Sequence, residues 1–525
     1  MSSLTTVEIP IGGRALTFED ARALAAGAKA RLDAGAARRM APSRELVDSA
    51  LRNGAAVYGV NTGFGALKSV RIADTDLAAL QVNLLRSHAA GAGPELEPAV
   101  VRLMLALRAH SLSLGASGVR TDLVARLLEL RERDILPVVP SKGSLGASGD
   151  LIPLAHLALV VIGEGEARRA GRVAPAAEHL RDVGIAPLAL AAKEGLALIN
   201  GTQAATAVGI LAIAEGFEVL RAAHAACALS VEAIRGSEKP FDPRVHALRP
   251  HAGQVASAAA VRRLLEGSGI GASHADCDRV QDPYSFRCAP QVLGASLEAA
   301  WFARERLAIE LNSVTDNPLC LTDAVPGTAG SPGTPSTKSP EIVSAGNFHG
   351  QPVAQALDFL AIGLAEVGSI SERRTYLLLE SAKSGLPPFL ATNPGLESGL
   401  MIVQYLQAAL VAENKALAHP ACVDSIPTSA GQEDHVSLAM HAAMKALALV
   451  RNVRRVVAAE LLCAAQGIES LRPLRSSAPL ESLHAGVRAL VPPLKGDRRL
   501  DQDLERLDSW VASAAASDAA GVAPF

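Results

Sequence analysis

Aromatic residues, net charge and paired cysteines are all scarce in this sequence. Aromatic side chains make up 3% of the 525 residues, and the formal net charge is −3. So small a charge gives no electrostatic reason to expect nucleic acid or an anionic membrane as a partner. The six cysteines form no CxxC pair, and scattered cysteines of this kind are typical of free thiols in a reducing compartment.

Targeting signals and long apolar runs are lacking as well. The sequence begins Met1-Ser2-Ser3-Leu4, without the basic and then apolar pattern of a signal peptide. The longest uncharged stretch, residues 195–214, is interrupted by the polar Asn200 and Gln203, whereas a membrane span needs an unbroken apolar run. We therefore expect a cytoplasmic protein with no membrane partner.

Motifs for nucleotides and metals are incomplete. Residues 267–271 read Gly-Ser-Gly-Ile-Gly, but Ala272 stands where a dinucleotide-binding loop has its last glycine, and no GxxxxGK[ST] motif occurs. Residues 274–278 contain one histidine, one cysteine and two aspartates, but no second cluster with suitable ligand spacing accompanies them. We expect neither a nucleotide nor a metal cofactor.

Helical periodicity dominates what is present. Alanine-rich segments with a 3.6-residue period predict long helices, and strand patterns are rare. The sequence therefore predicts a mainly α fold, with an N-terminal domain at 1–200, a long central helical bundle with C-terminal helices at 201–525, and a flexible Pro/Gly/Ser/Thr-rich surface loop at 325–340. The predicted long helices are 203–235, 299–311, 353–369, 399–419 and 435–466, and the best strand candidates are 8–11 and 184–188.

The tripeptide Ala147-Ser148-Gly149 has unusual chemical potential. Three small residues let the backbone fold tightly enough for the amide nitrogen of Gly149 to attack the carbonyl of Ala147, and a side chain at Gly149 would hinder that nitrogen. Loss of one water from the ring and a second from the Ser148 hydroxyl would leave a methylidene group on an imidazolone. That group is a strong electrophile made without an added cofactor.

The tripeptide alone is weak evidence, because residues 114–118 and 145–149 have the same sequence, Leu-Gly-Ala-Ser-Gly. The first copy leads into Thr121-Asp122, which is typical of a helix N-cap, so we predict an ordinary turn between helices there. Only the second copy lies in the run Pro-Ser-Lys-Gly-Ser-Leu-Gly-Ala-Ser-Gly-Asp-Leu-Ile-Pro-Leu-Ala-His of residues 140–156.

That run resembles the signature of the aromatic amino acid ammonia-lyases, which carry a 4-methylideneimidazol-5-one (MIO) prosthetic group. The resemblance extends from Tyr58 to about Gly467. Four further stretches are similar to motifs of that family: Tyr-Gly-Val-Asn-Thr-Gly-Phe-Gly at 58–65, Leu-Ile-Asn-Gly-Thr-Gln at 198–203, Gln-Asp-Pro-Tyr-Ser-Phe-Arg-Cys at 281–288 and Gly-Asn-Phe-His at 346–349.

Two positions bear on the substrate. Ser87-His88 and the stretch 423–435, which contains Glu433, resemble the histidine-directed branch of the family. A carboxylate suits a polar, ionisable imidazole, whereas beside a phenyl ring Glu433 would be a costly buried charge. The resemblance implies elimination of ammonia from L-histidine to give trans-urocanate, the first step of histidine degradation. Gly431 departs from the family, which usually has Asn there.

The resemblance also implies roles for single residues in the reaction. Ala147, Ser148 and Gly149 would form MIO, and Tyr58, followed by Glu433, is the candidate base for the β-proton. Burial and neighbours would have to lower the pKa of Tyr58 from its free value of about 10 for it to act near neutrality. Whether MIO takes the amine or the ring of the substrate stays open.

Other residues would bind the substrate. By resemblance, Arg287 would hold its carboxylate with a bidentate guanidinium, and Tyr284, Asn200 and Gln281 would orient it. Phe348 would wall the pocket, while His88 would recognise the imidazole together with Glu433. Family members typically build each active site from several subunits, so the resemblance implies a homotetramer.

Taken singly, most of these residues have a structural explanation. His88 fits a structural histidine, Tyr58 fits a loop plug, and residues 433–435 fit the first turn of a helix, where acids are favoured. The alternatives are a tyrosine or phenylalanine ammonia-lyase, an aminomutase on the same scaffold, a fumarase-type helical lyase without MIO, or a catalytically inactive helical scaffold. The joint occurrence of the motifs favours the histidine-directed lyase.

Overall fold

The structure is a computed structural model that describes residues 8–525, except residues 55, 64, 276–278 and 323–339. Helices dominate the described chain, which confirms the predicted mainly α fold. The helices are α1 (Phe18–Ala25), α2 (Ala36–Arg52), α3 (Leu77–His88), α4 (Pro98–Ser113), α5 (Thr121–Glu132), α6 (Leu151–Val161), α7 (Ala176–Asp182), α8 (Glu194–Ile199), α9 (Gln203–Ala233), α10 (Pro243–Ala247), α11 (Ala252–Leu265), α12 (Gly269–Ala272), α13 (Tyr284–Arg287), α14 (Ala289–Glu310), α15 (Gln351–Leu379), α16 (Ser381–Ser384), α17 (Met401–Leu417), α18 (Ala439–Glu469), α19 (Ala478–Leu490), α20 (Asp501–Ala512) and α21 (Ala515–Ala519). The strands are β1 (Ile9–Ile11), β2 (Ala30–Leu32), β3 (Ala92–Glu95), β4 (Leu136–Pro137), β5 (Pro140–Lys142), β6 (Glu166–Arg169), β7 (Arg172–Pro175), β8 (Leu319–Leu321) and β9 (Glu341–Val343).

The five predicted long helices are present with different ends, and one of the two strand predictions is wrong. Strand β1 forms where expected, but residues 184–188 form no strand. Pro187 has no N–H for a strand ladder, and the N–H of Leu188 instead bonds the Val161 carbonyl at the end of α6, 3.0 Å away. Helix α9 stops at Ala233, shortly before Arg235 adopts a left-handed backbone with φ of 53°.

The chain forms two compact units, each built from three stretches. The first unit contains Met1–Leu211, Arg304–Gln355 and Ala421–Met444, and the second contains Ala212–Ala303, Ala356–Pro420 and Lys445–Phe525. The sequence suggests two domains, 1–200 and 201–525, each made of one continuous stretch, and this division stays a prediction.

The first unit holds every strand of the described chain. Strands β1 and β2 pair in parallel, while β3–β5, β4–β6–β7 and β8–β9 are antiparallel. Helix α4 is almost wholly buried and packs against α1 and α5. Helix α6 is apolar on nearly all sides and packs against α3 and α8. Strand β5 and helix α6 therefore anchor both ends of residues 143–150, the segment that contains the second Leu-Gly-Ala-Ser-Gly copy.

A buried ion pair joins helices of the second unit. The Arg374 guanidinium contacts the Glu460 carboxylate at 2.5 and 2.7 Å, and both side chains are fully buried. Ser230 and Ser371 donate to the same carboxylate, at 2.7 and 2.6 Å. Because an unpaired buried charge is strongly destabilising, these four residues have to stay together. They fix α9, α15 and α18 relative to one another within this unit.

Two helices, α9 and α15, are long and apolar enough to span a membrane by length and composition alone. Their most apolar windows are 72% and 61% buried inside the protein. Core helices of globular proteins have the same length and composition, so these two helices are only weak evidence for a membrane span.

Candidate active site

The Ala147-Ser148-Gly149 tripeptide forms a tight turn between β5 and α6. Ser148 has a φ of 51° and Gly149 a φ of 80°, and the Gly149 N–H donates to the Gly146 carbonyl over 3.2 Å. Left-handed backbone is uncommon for a residue other than glycine and persists only when its surroundings impose it. The tripeptide is thus held in a tight, left-handed turn.

Close backbone contacts impose this turn. Gly149 forms a bridge with Gly201, and a Cβ on Gly149 would lie 2.3 Å from the Gly201 carbonyl oxygen. The Asp150 N–H donates to that oxygen over 2.7 Å, and the Leu438 N–H donates to the Leu145 carbonyl over 2.9 Å. Residue 149 must be glycine because no side chain fits between these backbones.

The side chain of Asp150 ties the turn to the start of helix α9. Its carboxylate accepts the Ala205 N–H over 2.8 Å and the Ser144 hydroxyl over 3.1 Å. Burial raises the pKa of Asp150 to about 6, against the lowering effect of these hydrogen bonds. The turn is therefore anchored by side-chain as well as backbone contacts.

Glu433 lies beside Ser148. The Ser148 hydroxyl donates to Oε1 of Glu433 over 3.4 Å, and the Thr428 hydroxyl donates to Oε2 over 2.9 Å. The three residues of the intervening turn, 429–431, all have left-handed backbones, with φ of 52°, 53° and 83°. This hairpin projects Glu433 toward the tripeptide.

Gly431 is compatible with that hairpin. Its φ is 83°, and a Cβ there would meet no atom within 4 Å. Asparagine is among the residues that best tolerate this left-handed region, so the family's usual Asn and the Gly of this chain meet the same backbone requirement. The departure leaves the Thr428–Glu433 hydrogen bond in place.

Two cavities of the first unit flank the tripeptide, and Glu433 lines both. The larger has a volume of about 570 Å³, and the smaller about 210 Å³. The predicted site residues on the larger cavity are Tyr58, Ser148, Phe348 and Glu433. Those on the smaller cavity are His88, Ala147, Gly149 and Glu433.

Tyr58 has a perturbed hydroxyl. Burial raises its pKa, the negative charge of Glu433 raises it further, and a hydrogen bond from the Gly65 backbone lowers it. The net shift is upward, opposite to the direction that a base acting near neutrality needs. The role of Tyr58 as the base stays a prediction.

His88 is the last residue of α3, and its orientation is set by its own helix. The Nδ1 atom contacts the Leu84 carbonyl at 2.8 Å and the Ser87 hydroxyl at 3.0 Å. A carbonyl oxygen only accepts, so Nδ1 carries the proton in this contact. His88 lines the smaller cavity together with Glu433.

Asn200 is 2% exposed and follows α8 directly. Its carbonyl oxygen Oδ1 is buried without a hydrogen-bond partner among the described residues. An unpaired buried oxygen costs roughly 1–3 kcal/mol, so such an atom is a good candidate for contact with a bound group. Nearby, Arg108 donates to the Gln203 side chain over 2.7 Å and steadies this segment.

The other three predicted residues belong to the second unit. Gln281 precedes α13, and Tyr284 and Arg287 are its first and last residues. The Arg287 guanidinium lies 4.4 Å from the Tyr284 ring centroid, and its Nε donates to the Asp282 carbonyl over 3.0 Å. Tyr284 is 71% exposed. The first unit thus brings five predicted residues around the tripeptide, while these three lie in the second unit.

Some sequence predictions fall partly or wholly outside the described residues. The 325–340 loop does so except for Pro340, as do three residues of the 274–278 group. Within the described ranges, no cluster of three or more His, Cys, Asp or Glu residues could hold a metal ion.

Sequence reasoning missed two contacts near Glu433. One is the Thr428 hydrogen bond to Glu433, and the other is made by Lys68, whose ammonium group donates to the side chain of Gln432, the residue before Glu433. A sequence signal for Thr428 exists: it precedes Glu433 by five positions, and small residues lie between the two, which is typical of a short hairpin. Lys68 is 364 positions from Gln432, and no local pattern predicts that contact.

Comparison with known proteins places the chain among lyases. Residues 16–489 match the family described as aromatic amino acid lyase. The chain is 51% identical over 519 residues to a histidine ammonia-lyase of Sorangium cellulosum, with 97% of this chain and 99% of that relative covered. It is similar to the crystal structure of histidine ammonia-lyase from Trypanosoma cruzi, with a TM-score of 0.87, 41% identity, and 98% and 95% of the two chains covered. The structure of tyrosine aminomutase from Streptomyces globisporus has a TM-score of 0.89 at 36% identity, with 98% of each chain covered.

Proposed function

Because the chain belongs to the aromatic amino acid lyase family, we propose that it eliminates ammonia from L-histidine to give trans-urocanate, as the first step of histidine degradation. The observation that carries this proposal is the position of Glu433, which contacts Ser148 and shares a cavity with His88. The identity of about 50% to several histidine ammonia-lyases supports the same substrate.

We infer that Ala147, Ser148 and Gly149 condense to MIO, and that the enzyme uses no metal or nucleotide. The residues fit this group, because the turn is tight and residue 149 has no space for a side chain. When formed, the group supplies an electrophile that activates the substrate for loss of ammonia.

Recognition of the imidazole follows from the Glu433 carboxylate. It accepts hydrogen bonds and lines the smaller cavity with His88, so a ring that fits there carries an N–H donor. Histidine supplies such a donor, whereas a phenyl ring has none and would offer the Glu433 carboxylate no hydrogen bond while displacing its water. A site built to bond polar groups of one substrate rejects an analogue that lacks them.

Tyr58 and Glu433 are the candidate bases for the β-proton. Glu433 is an acceptor beside Ser148, and within one chain the raised pKa of Tyr58 favours Glu433. A positive group brought by another subunit would lower the pKa of Tyr58 and restore it as the base. A Tyr58→Phe variant distinguishes the two, since it loses turnover only if the phenol takes the proton.

We infer a homotetramer in which another subunit supplies Gln281, Tyr284 and Arg287 to each site. Arg287 would hold the substrate carboxylate with its guanidinium, and Tyr284 and Gln281 would orient the substrate. The exposed Tyr284 and the apolar side chains exposed on α15 and α17 support an interface between copies. These apolar side chains are Phe359, Ile362, Tyr376, Ile402, Tyr405 and Leu406. An active monomer in light scattering coupled to size exclusion would refute the inference.

We expect a cytoplasmic enzyme that binds no nucleic acid and no membrane. The net charge of −3 and the burial of α9 and α15 are in keeping with this expectation. Imaging of a fluorescently tagged chain in its own cells tests it, and a membrane-bound signal would contradict it.

The experiment that tests the function is a substrate comparison. Purified protein is incubated separately with L-histidine, L-tyrosine and L-phenylalanine, and the absorbance of the unsaturated product is followed. We expect urocanate from histidine and little product from the other two. Preferred conversion of tyrosine or phenylalanine to the unsaturated acid would instead support the corresponding ammonia-lyase. Formation of a β-amino acid would support an aminomutase, a class with a solved structure similar to this chain.

A further inference from the structure

We propose that Thr428 is a positioning residue that holds the Glu433 carboxylate against the imidazole of the substrate. This inference rests on the proposed function and extends it from Glu433 to its hydroxyl partner. Specificity for the imidazole then depends on a hydroxyl group as well as on a charge.

The two oxygens of the Glu433 carboxylate have different partners. Oε2 accepts the Thr428 hydroxyl over 2.9 Å, while Oε1 accepts the Ser148 hydroxyl over the longer distance of 3.4 Å. The shorter bond fixes the orientation of the carboxylate plane. Oε1 is then the oxygen that is directed at the tripeptide.

The backbone holds Thr428 opposite Glu433. The Thr428 N–H donates to the Glu433 carbonyl over 3.0 Å, and the Glu433 N–H donates to the Thr428 carbonyl over 3.3 Å. Residues that exchange hydrogen bonds in an antiparallel bridge have their side chains on the same face. Thr428 therefore stays within reach of Glu433, and both line the smaller cavity with His88.

The hydroxyl limits how the Glu433 side chain can rotate. Glu433 is only half-buried. Packing against neighbouring side chains therefore does not by itself hold its carboxylate in one rotamer. A glutamate side chain has three rotatable bonds, and ordering it without a bonded partner is entropically unfavourable. Thr428 orders the carboxylate before the substrate arrives, which is the condition for efficient recognition.

The test compares variants of the whole protein that differ in one hydroxyl. Thr428→Val removes the hydroxyl and keeps the shape of the side chain, and Thr428→Ser keeps the hydroxyl. Ser425→Ala is the matched control, because the Ser425 hydroxyl lies in the same loop but accepts the Val436 N–H over 3.0 Å. Urocanate formation gives kcat and KM, intact mass reports the modification, and circular dichroism reports folding.

We expect Thr428→Val to lower kcat/KM for histidine about 10- to 100-fold, mainly through a higher KM, which is the loss expected for a hydrogen bond to a charged group. Thr428→Ser should restore most of the wild-type value, and Ser425→Ala should resemble the wild type. All variants should keep the mass of the modified protein. If Thr428→Val does not fold, Thr428→Ala takes its place in the comparison with Thr428→Ser.

Wild-type kcat/KM in Thr428→Val, or failure of Thr428→Ser to restore it, would overturn the proposal for Thr428 while histidine turnover by the wild type stands. If the wild-type protein itself forms no urocanate, the proposed function fails, and the inference fails with it.

Discussion

The two Leu-Gly-Ala-Ser-Gly copies have the same sequence and different structures. The first, at 114–118, lies between α4 and α5, as predicted. Ser117 is fully buried, and its backbone is not left-handed. Its hydroxyl has no hydrogen-bond partner within the part of the chain that the structure describes. In the second copy, Ser148 is left-handed, half-buried and bonded to Glu433.

The surroundings create this difference. A Cβ on Gly118 would meet the Val47 and Cys320 side chains at 2.5 and 2.9 Å, so the first turn is packed among side chains. Gly149 faces the backbone of Gly201 instead, and Ser148 lines a cavity. The comparison shows that the same five residues are enclosed by side chains in the first copy, whereas in the second they contact backbone on one side and a cavity on the other.

The largest difference between the two copies is expected when the serine hydroxyl of each is removed in turn. Ser148→Ala should reduce urocanate formation by at least about 1000-fold, because the nucleophile acceptor derived from that side chain is lost. Ser117→Ala should keep wild-type turnover, since its hydroxyl makes no bond to the site. Kinetic assays on both variants, with melting curves as the folding control, check this. Equal losses in the two variants would contradict the distinction between the copies.

Glu433→Gln tests the charge that borders only the second copy. The amide keeps the shape of the side chain but is a weaker acceptor and carries no charge, so kcat/KM for histidine should fall about 100-fold. The protein mass should stay that of the modified enzyme. Kinetics with histidine and mass spectrometry provide the measurement, and an unchanged kcat/KM would remove Glu433 from the mechanism.

Gly118→Ala tests the packing of the first copy. A methyl group there strains a backbone with φ of 66° and clashes with Val47, so we expect a loss of roughly 1–3 kcal/mol in the free energy of unfolding. Turnover per folded molecule should be retained. Urea unfolding measures the loss. A fully folded variant with a greatly reduced kcat would show that the first turn takes part in the chemistry.

Gly431→Asn should have the smallest effect. The position is left-handed and open, so asparagine should change the free energy of unfolding by no more than about 0.5 kcal/mol and leave kcat/KM near the wild-type value. Unfolding and steady-state kinetics check both quantities. A large drop in kcat/KM would mean that this glycine shapes the hairpin beyond its φ angle.

Local patterns predicted the long helices, the core turn at 114–118 and the strand β1, because periodicity and caps are encoded within a few residues. Resemblance to known motifs predicted that Ser148 and Glu433 belong to one site, and the structure brings them to 3.4 Å. The Thr428–Glu433 hydrogen bond was not predicted, since it depends on three consecutive left-handed residues in a turn. The upward pKa shift of Tyr58 depends on burial and on Glu433, which are properties of the folded chain.

The central claim is that only the second copy of the pentapeptide condenses. Tryptic digestion of the active enzyme separates the copies, because cleavage after Arg108, Arg120, Lys142 and Arg168 gives the peptides 109–120 and 143–168. We expect the peptide 143–168 to be lighter by two waters, about 36 Da, and the peptide 109–120 to have its full mass. Full mass for both peptides in working enzyme would contradict the account.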